Sequence, residues 1–233
     1  MQISIADITN AFPDYRVAFV VAEDLRIPPE RPAALDALIT EREAACRTAW
    51  GGTELAQIPG IAAWRAAYKA FGIKQTRYRS SVERLVKNVL AGRSLARINA
   101  FVDAYNAVSL GSVLPLGADD LDKVTPTLAF RYTREGDTFV DMADGAEAGD
   151  EAPKPGEVVY ADATHVLCRR WNWRQDARSL ITLETTRAVV TLQANGVGDV
   201  EAAAGDLVDL IGRFCGGTCR VAVLNPSRTT GDL

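Results

Sequence analysis

The chain has 233 residues, 48% of them hydrophobic and 24% charged, with a formal net charge of −4. This is ordinary globular composition, which excludes wholesale disorder and fibrous repeats and allows a full core. No apolar run reaches the ~18 residues of a membrane-spanning helix, and the opening MQISIADITN lacks the basic start and apolar stretch of a signal peptide, so a cytoplasmic protein is expected.

In chain order, Ile3 and Ile5 and then Tyr15–Val21 read as an early pair of strands, rich in β-branched residues. Pro28, Pro29 and Pro32 open a helix that keeps apolar spacing through Leu35, Leu38, Ile39 and Ala45 to about Thr48. A Gly/Pro loop precedes a short helix, Ile61–Phe71, stopped by Gly72. Ser80-Ser-Val-Glu83 is a capping box, in which Glu83 is expected to reach back to the Ser80 amide. Val82, Leu85, Val86, Val89 and Leu90 follow at helical spacing up to Gly92.

A further helix is expected from about Arg97 to Ser109. Ile98, Phe101, Val102 and Tyr105 form its apolar stripe, and Asn99, Asp103 and Asn106 lie on another face. Pro115–Asp122 reads as a turn carrying three carboxylates. Strands are expected at Leu128–Tyr132, Phe139–Asp141, Val158–Tyr160, His165–Cys168 and Ala188–Leu192, with Asp144–Gly156 as an exposed acidic loop. A helix at Ala202–Phe214, a strand at Arg220–Leu224 and a frayed tail, Pro226–Leu233, complete the reading. Helices early and strands later imply an α+β fold. Residues 1–57 are expected as a strand–helix extension packed on a main domain of residues 58–233.

Chemistry is narrowed by scarcity. There is one histidine, His165, and the cysteines Cys46, Cys168, Cys215 and Cys219 are scattered. Cys215 and Cys219 are separated by three residues, whereas redox motifs and zinc knuckles usually have two. Neither a metal nor any other cofactor is expected. No nucleophile elbow accompanies His165, and no phosphate-binding or dinucleotide-binding glycine motif is present.

Charge is laid down in blocks. Between Trp64 and Arg97 nine basic residues face Glu83 alone, whereas between Glu135 and Asp162 nine acidic residues face only Lys154. The basic block can hold a polyanion through phosphate contacts, or it can pair with the acidic block. Within it, Lys74, Arg77, Arg79 and Lys87 are the candidate RNA contacts, the first three beside a helix N-terminus that favours anions. The acidic overall balance (pI ≈ 5.2) speaks against a general nucleic-acid binder.

The densest cluster is Cys168-Arg-Arg-Trp-Asn-Trp-Arg174. Were the strand to continue, Arg170, Asn172 and Arg174 would share a face. Guanidinium groups and indole rings offer anion forks and stacking surfaces, so Arg170, Trp171, Asn172 and Arg174 are candidate substrate contacts. The equal alternative is a pair of core tryptophans with locally paired arginines. Asn106 and Ser109, three apart on one helix, are candidates for the same ligand.

In this order the pieces resemble a family. Trp64-Arg-x-x-Tyr68-x-x-Phe71-Gly72, then Tyr78-Arg-Ser-Ser81-x-Glu83-x-Leu85, Ile98-Asn99 and Val102-Asp103-x-Tyr105-Asn106-x-x-Ser109 resemble stand-alone B3/4-domain proteins. So do Pro115-x-Gly117-x-Asp119, Pro155-Gly-Glu157-Val-Val-Tyr-x-Asp162 and Cys-Arg-Arg-Trp-Asn-Trp-Arg174. Such proteins are similar to the B3/4 module of the bacterial phenylalanyl-tRNA synthetase β subunit, and the likeness spans roughly residues 58–193. It implies a β-rich three-layer unit, a pocket for an aminoacyl end, and a tRNA crossing a basic rim. It does not imply synthesis of aminoacyl-tRNA.

The synthetase module carries a histidine two residues after a proline, where this chain has Gly117. Its Gly-Gly-x-x-Ser-Gly segment is replaced here by Arg170–Arg174. The editing residues therefore do not carry over intact, and Asp119 and Asp162 are the candidate catalytic carboxylates. Three functions stay open: a trans-acting hydrolase of misacylated aminoacyl-tRNA, a non-catalytic binder of tRNA or an amino-acid-like small molecule, and an enzyme acting on small amino-acid derivatives without RNA.

Overall fold

β2 (Tyr15–Glu23) is the longest strand and the centre of the molecule. Its apolar run does not alternate with polar residues because both faces are covered. Ala18, Val20 and Ala22 face one core, and Val17, Phe19 and Val21 face another. The computed structural model describes residues 1–74, 77–142 and 152–233.

Two sheets result. One is fully antiparallel, in the order β3 (Leu116–Asp120), β8 (Ala188–Asn195), β2, β9 (Thr218–Leu224). The other has six strands, in the order β10 (Thr230–Asp232), β1 (Gln2–Ser4), β4 (Leu128–Tyr132), β5 (Val158–Ala161), β6 (Val166–Arg169), β7 (Arg174–Gln175). Only the β1–β4 pairing in it is parallel.

Helices α1 (Ala33–Trp50), α3 (Ser81–Leu90), α4 (Ala100–Ser112) and α5 (Val200–Phe214) bury their apolar residues against one face of the four-stranded sheet. The six-stranded sheet covers the other face through Ile3, Phe130, Val158 and Tyr160. α2 (Pro59–Ala70) joins the two cores, giving Ile61 to the first and Trp64, Ala67 and Tyr68 to the second. The chain is α+β, in three layers.

Several expected elements take a different form. The two N-terminal strands do not pair: β1 joins the six-stranded sheet and β2 the other. β1 and β2 are thus hydrogen-bonded in different sheets, β2 lying between β8 and β9. The tail is not frayed, because β10 pairs with β1. Asp119 and Asp120 belong to strand β3 rather than to a turn, and Asp120 then caps the 3-10 turn that follows by accepting from the Asp122 amide. Phe139–Asp141 forms no strand; only a bridge from Asp141 to Asp176 remains. α4 begins at Ala100 because Asn99 is its N-cap, accepting from the Val102 amide at 2.9 Å. Ser80 caps α3 by accepting from the Glu83 amide at 3.4 Å. The Glu83 carboxylate, however, takes Arg65 and Arg79 at 2.7 and 2.8 Å instead of the Ser80 amide. Of the expected acidic loop, residues 144–151 lie outside the described residues.

Candidate functional site

β8 shows where a cavity opens. Ala188, Val190, Leu192 and Ala194 pack under the helices. On the other face Val189 is core, but Thr191 and Gln193 are polar and buried. Period-2 alternation puts these two side by side, facing the six-stranded sheet. There they line a cavity of about 300 Å³ between α3, α4, β3 and β5–β7.

Asp119 stands in its wall. The carboxyl is 1% exposed. Its Oδ1 accepts from Ser179 Oγ at 2.6 Å and from Gln175 Nε2, which also donates to the Ala118 carbonyl at 2.9 Å. Burial pushes Asp119 up to about 7, and the charges of Asp176 and Asp162 push the same way, while the two hydrogen bonds pull it down. A carboxyl that titrates near neutrality in a cavity can accept and return a proton.

Around it lie Asn106, Tyr105 and Arg84 from the helices, Gly117 and Leu116 from β3, Tyr160 from β5, Trp173 from the β6–β7 turn and Arg174 from β7. Among the described residues, Tyr160 Oη, Ser81 Oγ and Trp173 Nε1 are buried without a hydrogen-bond partner, and all three residues line the cavity. A buried polar atom without a partner costs about 1–3 kcal/mol. Arg84 is exposed at the edge. Partial burial and the nearby Arg174 charge pull its guanidinium below its ordinary value, as expected where two cations converge. Cys168 also lines the cavity, but burial and the Asp119 charge hold its thiol far above the usual range, so it stays neutral.

The β6–β7 turn decides what the Arg/Trp cluster does. The strand ends at Arg169, so the alternation expected for Arg170, Asn172 and Arg174 does not apply. Arg170 and Trp171 turn into the left-handed region, with φ of 47° and 69°. Glu157 holds them there: it accepts from Arg169 Nε at 3.1 Å, Arg169 Nη2 at 3.0 Å and the Arg170 amide at 2.9 Å. The three arginines then diverge. Arg169 stays with Glu157, Arg170 lies between the Tyr78 and Trp173 rings at 3.7 and 4.5 Å, and Arg174 pairs with Asp141. Trp171 and Trp173 also part company. Trp171 is fully buried against Phe12, Tyr15 and Trp64 in the second core, and Trp173 lines the cavity. Asn172 does line it, while accepting from Tyr68 Oη at 2.8 Å and donating to Gln193 Oε1 at 3.2 Å.

The structure therefore brings Asn106, Asp119, Asn172 and Arg174 to one cavity. Ser109, Asp162, Arg170 and Trp171 are not in its lining. Ser109 is buried and donates to the Leu114 carbonyl at 2.6 Å, closing the end of α4. Asp162 accepts from the amides of Thr125, Thr164 and His165 at 2.9, 2.7 and 2.6 Å. Burial alone would raise Asp162, but these amides hold it below the usual carboxylate range. Lys74 and Arg79 line a second, neighbouring cavity; Arg77 and Lys87 are exposed and not in its lining.

Sequence reasoning missed Tyr160, Arg84, Ser179 and Gln175. One signal was legible: Thr191 and Gln193, two polar residues two apart in an apolar strand, mark one face as unlike a core. Ser179 and Gln175 carry no such signal, because only the fold brings them to Asp119.

The charge blocks divide in the same way. Arg131, Arg169, Arg174 and Arg178 pair with the acids Asp137, Glu157, Asp141 and Asp176. The earlier basic block keeps to itself among the described residues, apart from Arg97, which meets Asp36. No group of three His, Cys, Asp or Glu side chains among the described residues is placed to hold a metal ion. No helix among them is long and apolar enough to cross a membrane.

The chain is an α+β three-layer fold with a polar cavity between its layers. The B3/4 domain family model matches residues 63–214, and the chain belongs to that family. Among solved structures, it is similar to an N-terminal fragment of the phenylalanyl-tRNA synthetase β-subunit from Pyrococcus horikoshii, with a TM-score of 0.47 and 14% identity. The likeness covers 94% of this chain and 50% of that one, so the chain spans half the length of that fragment. A comparison with the curated proteins finds no match.

Proposed function

We propose that the cavity receives the aminoacyl end of a transfer RNA and that the protein hydrolyses the ester of a misacylated one. The substrate class is suggested by the resemblance of the motifs to the synthetase editing module. The observation that carries the reading is Asp119, poised to titrate near neutrality in the wall of a cavity that Asn106, Arg84 and Arg174 also line.

In this reading a water attacks the ester carbonyl and its proton passes to ionised Asp119. The bond from the carbonyl carbon to the ribose oxygen then breaks, and Asp119 returns the proton to the departing hydroxyl. Tyr105, Leu116 and Trp173 surround the amino-acid side chain, Asn106 meets its amino end, and Arg84 with Arg174 holds the terminal phosphate. Asp162, Ser109, Arg170 and Trp171 act behind the cavity, holding its walls. Lys74, Arg77, Arg79 and Lys87 carry the RNA strand away from it.

The test is release of amino acid from a panel of mischarged tRNAs. Turnover lowered about 10²–10⁴-fold by Asp119→Asn supports the reading; no release above buffer from any pair sinks it. Gly117 favours a second reading, a binding module without chemistry, because no side chain stands there beside Asp119. Tight binding of aminoacyl-tRNA with no turnover would select it.

A further inference from the structure

The second cavity has chemistry of its own. It holds about 370 Å³, within the range of small-ligand sites, and lies against α2 and the start of α3. The Tyr78–Arg170–Trp173 stack separates it from the first: Tyr78 faces the second cavity, Trp173 faces the first, and the Arg170 guanidinium lies between the rings. We propose that this second cavity binds a ribonucleotide, with its base among Trp64, Tyr68 and Tyr78 and its phosphate between Lys69 and Lys74.

Three observations converge on that ligand. The floor is aromatic and preformed: Trp64 is 2% and Tyr68 4% exposed, and the Tyr68 hydroxyl is fixed by Asn172, so the ring cannot turn away. The lining is strongly cationic, with Arg65, Lys69, Lys74 and Arg79 against Glu83 alone. That one carboxylate is already committed to Arg65 and Arg79. Lys69 and Lys74 are exposed, and among the described residues neither has an ion pair, so the uncompensated charge sits at the mouth. An inorganic anion would have no use for three aromatic rings, and an apolar ligand would have no use for the lysines. A base with a phosphate answers both, as in single-stranded RNA recognition.

The nucleotide can be a free nucleoside monophosphate or one residue of a single-stranded RNA. The proposal rests on the preceding reading only if the source is the same tRNA. The experiment is calorimetric titration of the four nucleoside monophosphates and of a short single-stranded RNA into wild-type protein, Lys69→Ala/Lys74→Ala and Tyr78→Leu, at low and high salt. Circular dichroism would check that each variant is folded.

Binding that weakens about tenfold or more in both variants and falls with salt is expected. Monophosphates alone identify a free nucleotide, and the RNA alone identifies a strand; either supports the site. Absence of binding by all of these ligands overturns it, as does binding indifferent to both variants. The outcomes for the two sites separate. Nucleotide binding in a protein that hydrolyses no aminoacyl-tRNA upholds this cavity and sinks the hydrolase. Hydrolysis of aminoacyl-tRNA by the wild-type protein, together with no binding of any nucleotide or RNA strand at this cavity, does the reverse.

Discussion

Ser179 Oγ donates to Asp119 Oδ1 at 2.6 Å, and the Ser179 carbonyl accepts from the amide of the next residue, Asp120, at 2.9 Å. One residue of a distant loop therefore both anchors the end of β3 and tunes the carboxyl in the cavity wall. The arrangement still leaves Asp119 near 7 because burial outweighs the two hydrogen bonds.

That imbalance has a sign. The folded carboxyl keeps its proton up to about 7, while an unfolded aspartate loses it near ~4. Asp119 therefore contributes stability that is complete at low pH and is lost as pH rises through about 7. Asp119→Asn removes this slope. Its stability relative to wild type should rise between pH 5 and 8, by about 2–3 kcal/mol. Urea midpoints across that range would check it, and parallel pH profiles for the two proteins would refute it.

Asp162 slopes the other way. Its carboxyl is held low by three backbone amides, so its contribution is present above ~4 and is lost as pH falls through the depressed folded value. Asp162→Ala strands those amides and should cost about 2–4 kcal/mol. If the cavity chemistry belongs to Asp119, the surviving folded fraction should keep its turnover per molecule. Thermal melts paired with active-site-normalised rates separate the two effects.

The two tryptophans of the β6–β7 turn should behave differently on truncation. Trp171 is fully buried among Phe12, Tyr15, Trp64 and Phe71, so Trp171→Ala should lose about 3–5 kcal/mol. Trp173 is only partly buried, so Trp173→Ala should cost less stability and act mainly on ligand affinity. Equal losses of stability in the two variants would contradict the division between core and cavity.

Arg84 has no ion pair among the described residues and faces the cavity beside Arg174. Arg84→Ala should raise the KM for an RNA substrate roughly tenfold at low salt, with kcat little changed. The difference should shrink as salt is raised, with the salt slope falling by about one. A kcat effect independent of salt would place Arg84 in the chemical step instead.

Local order was legible where local physics decides it. The capped α3 with its Val82, Val86 and Val89 face, the strand at Leu128–Tyr132 and the closing helix before Cys215 follow from spacing, caps and β-branching. The family was legible from an ordered series of short motifs. Which carboxylate sits in a cavity was not. Asp119 and Asp162 look alike as sequence, but one is bound by two side chains and buried with no ion pair among the described residues, and the other is held by three amides in a turn. The same holds for Trp171 and Trp173, and for the three arginines beside them. A hairpin turn with two left-handed residues, held by Glu157 just before β5, breaks the alternation a continuing strand would have imposed. Secondary structure answers to neighbours a few residues away and leaves its pattern in the chain. Burial, partners and protonation answer to residues 12 to 104 positions distant, and only packed layers bring those together.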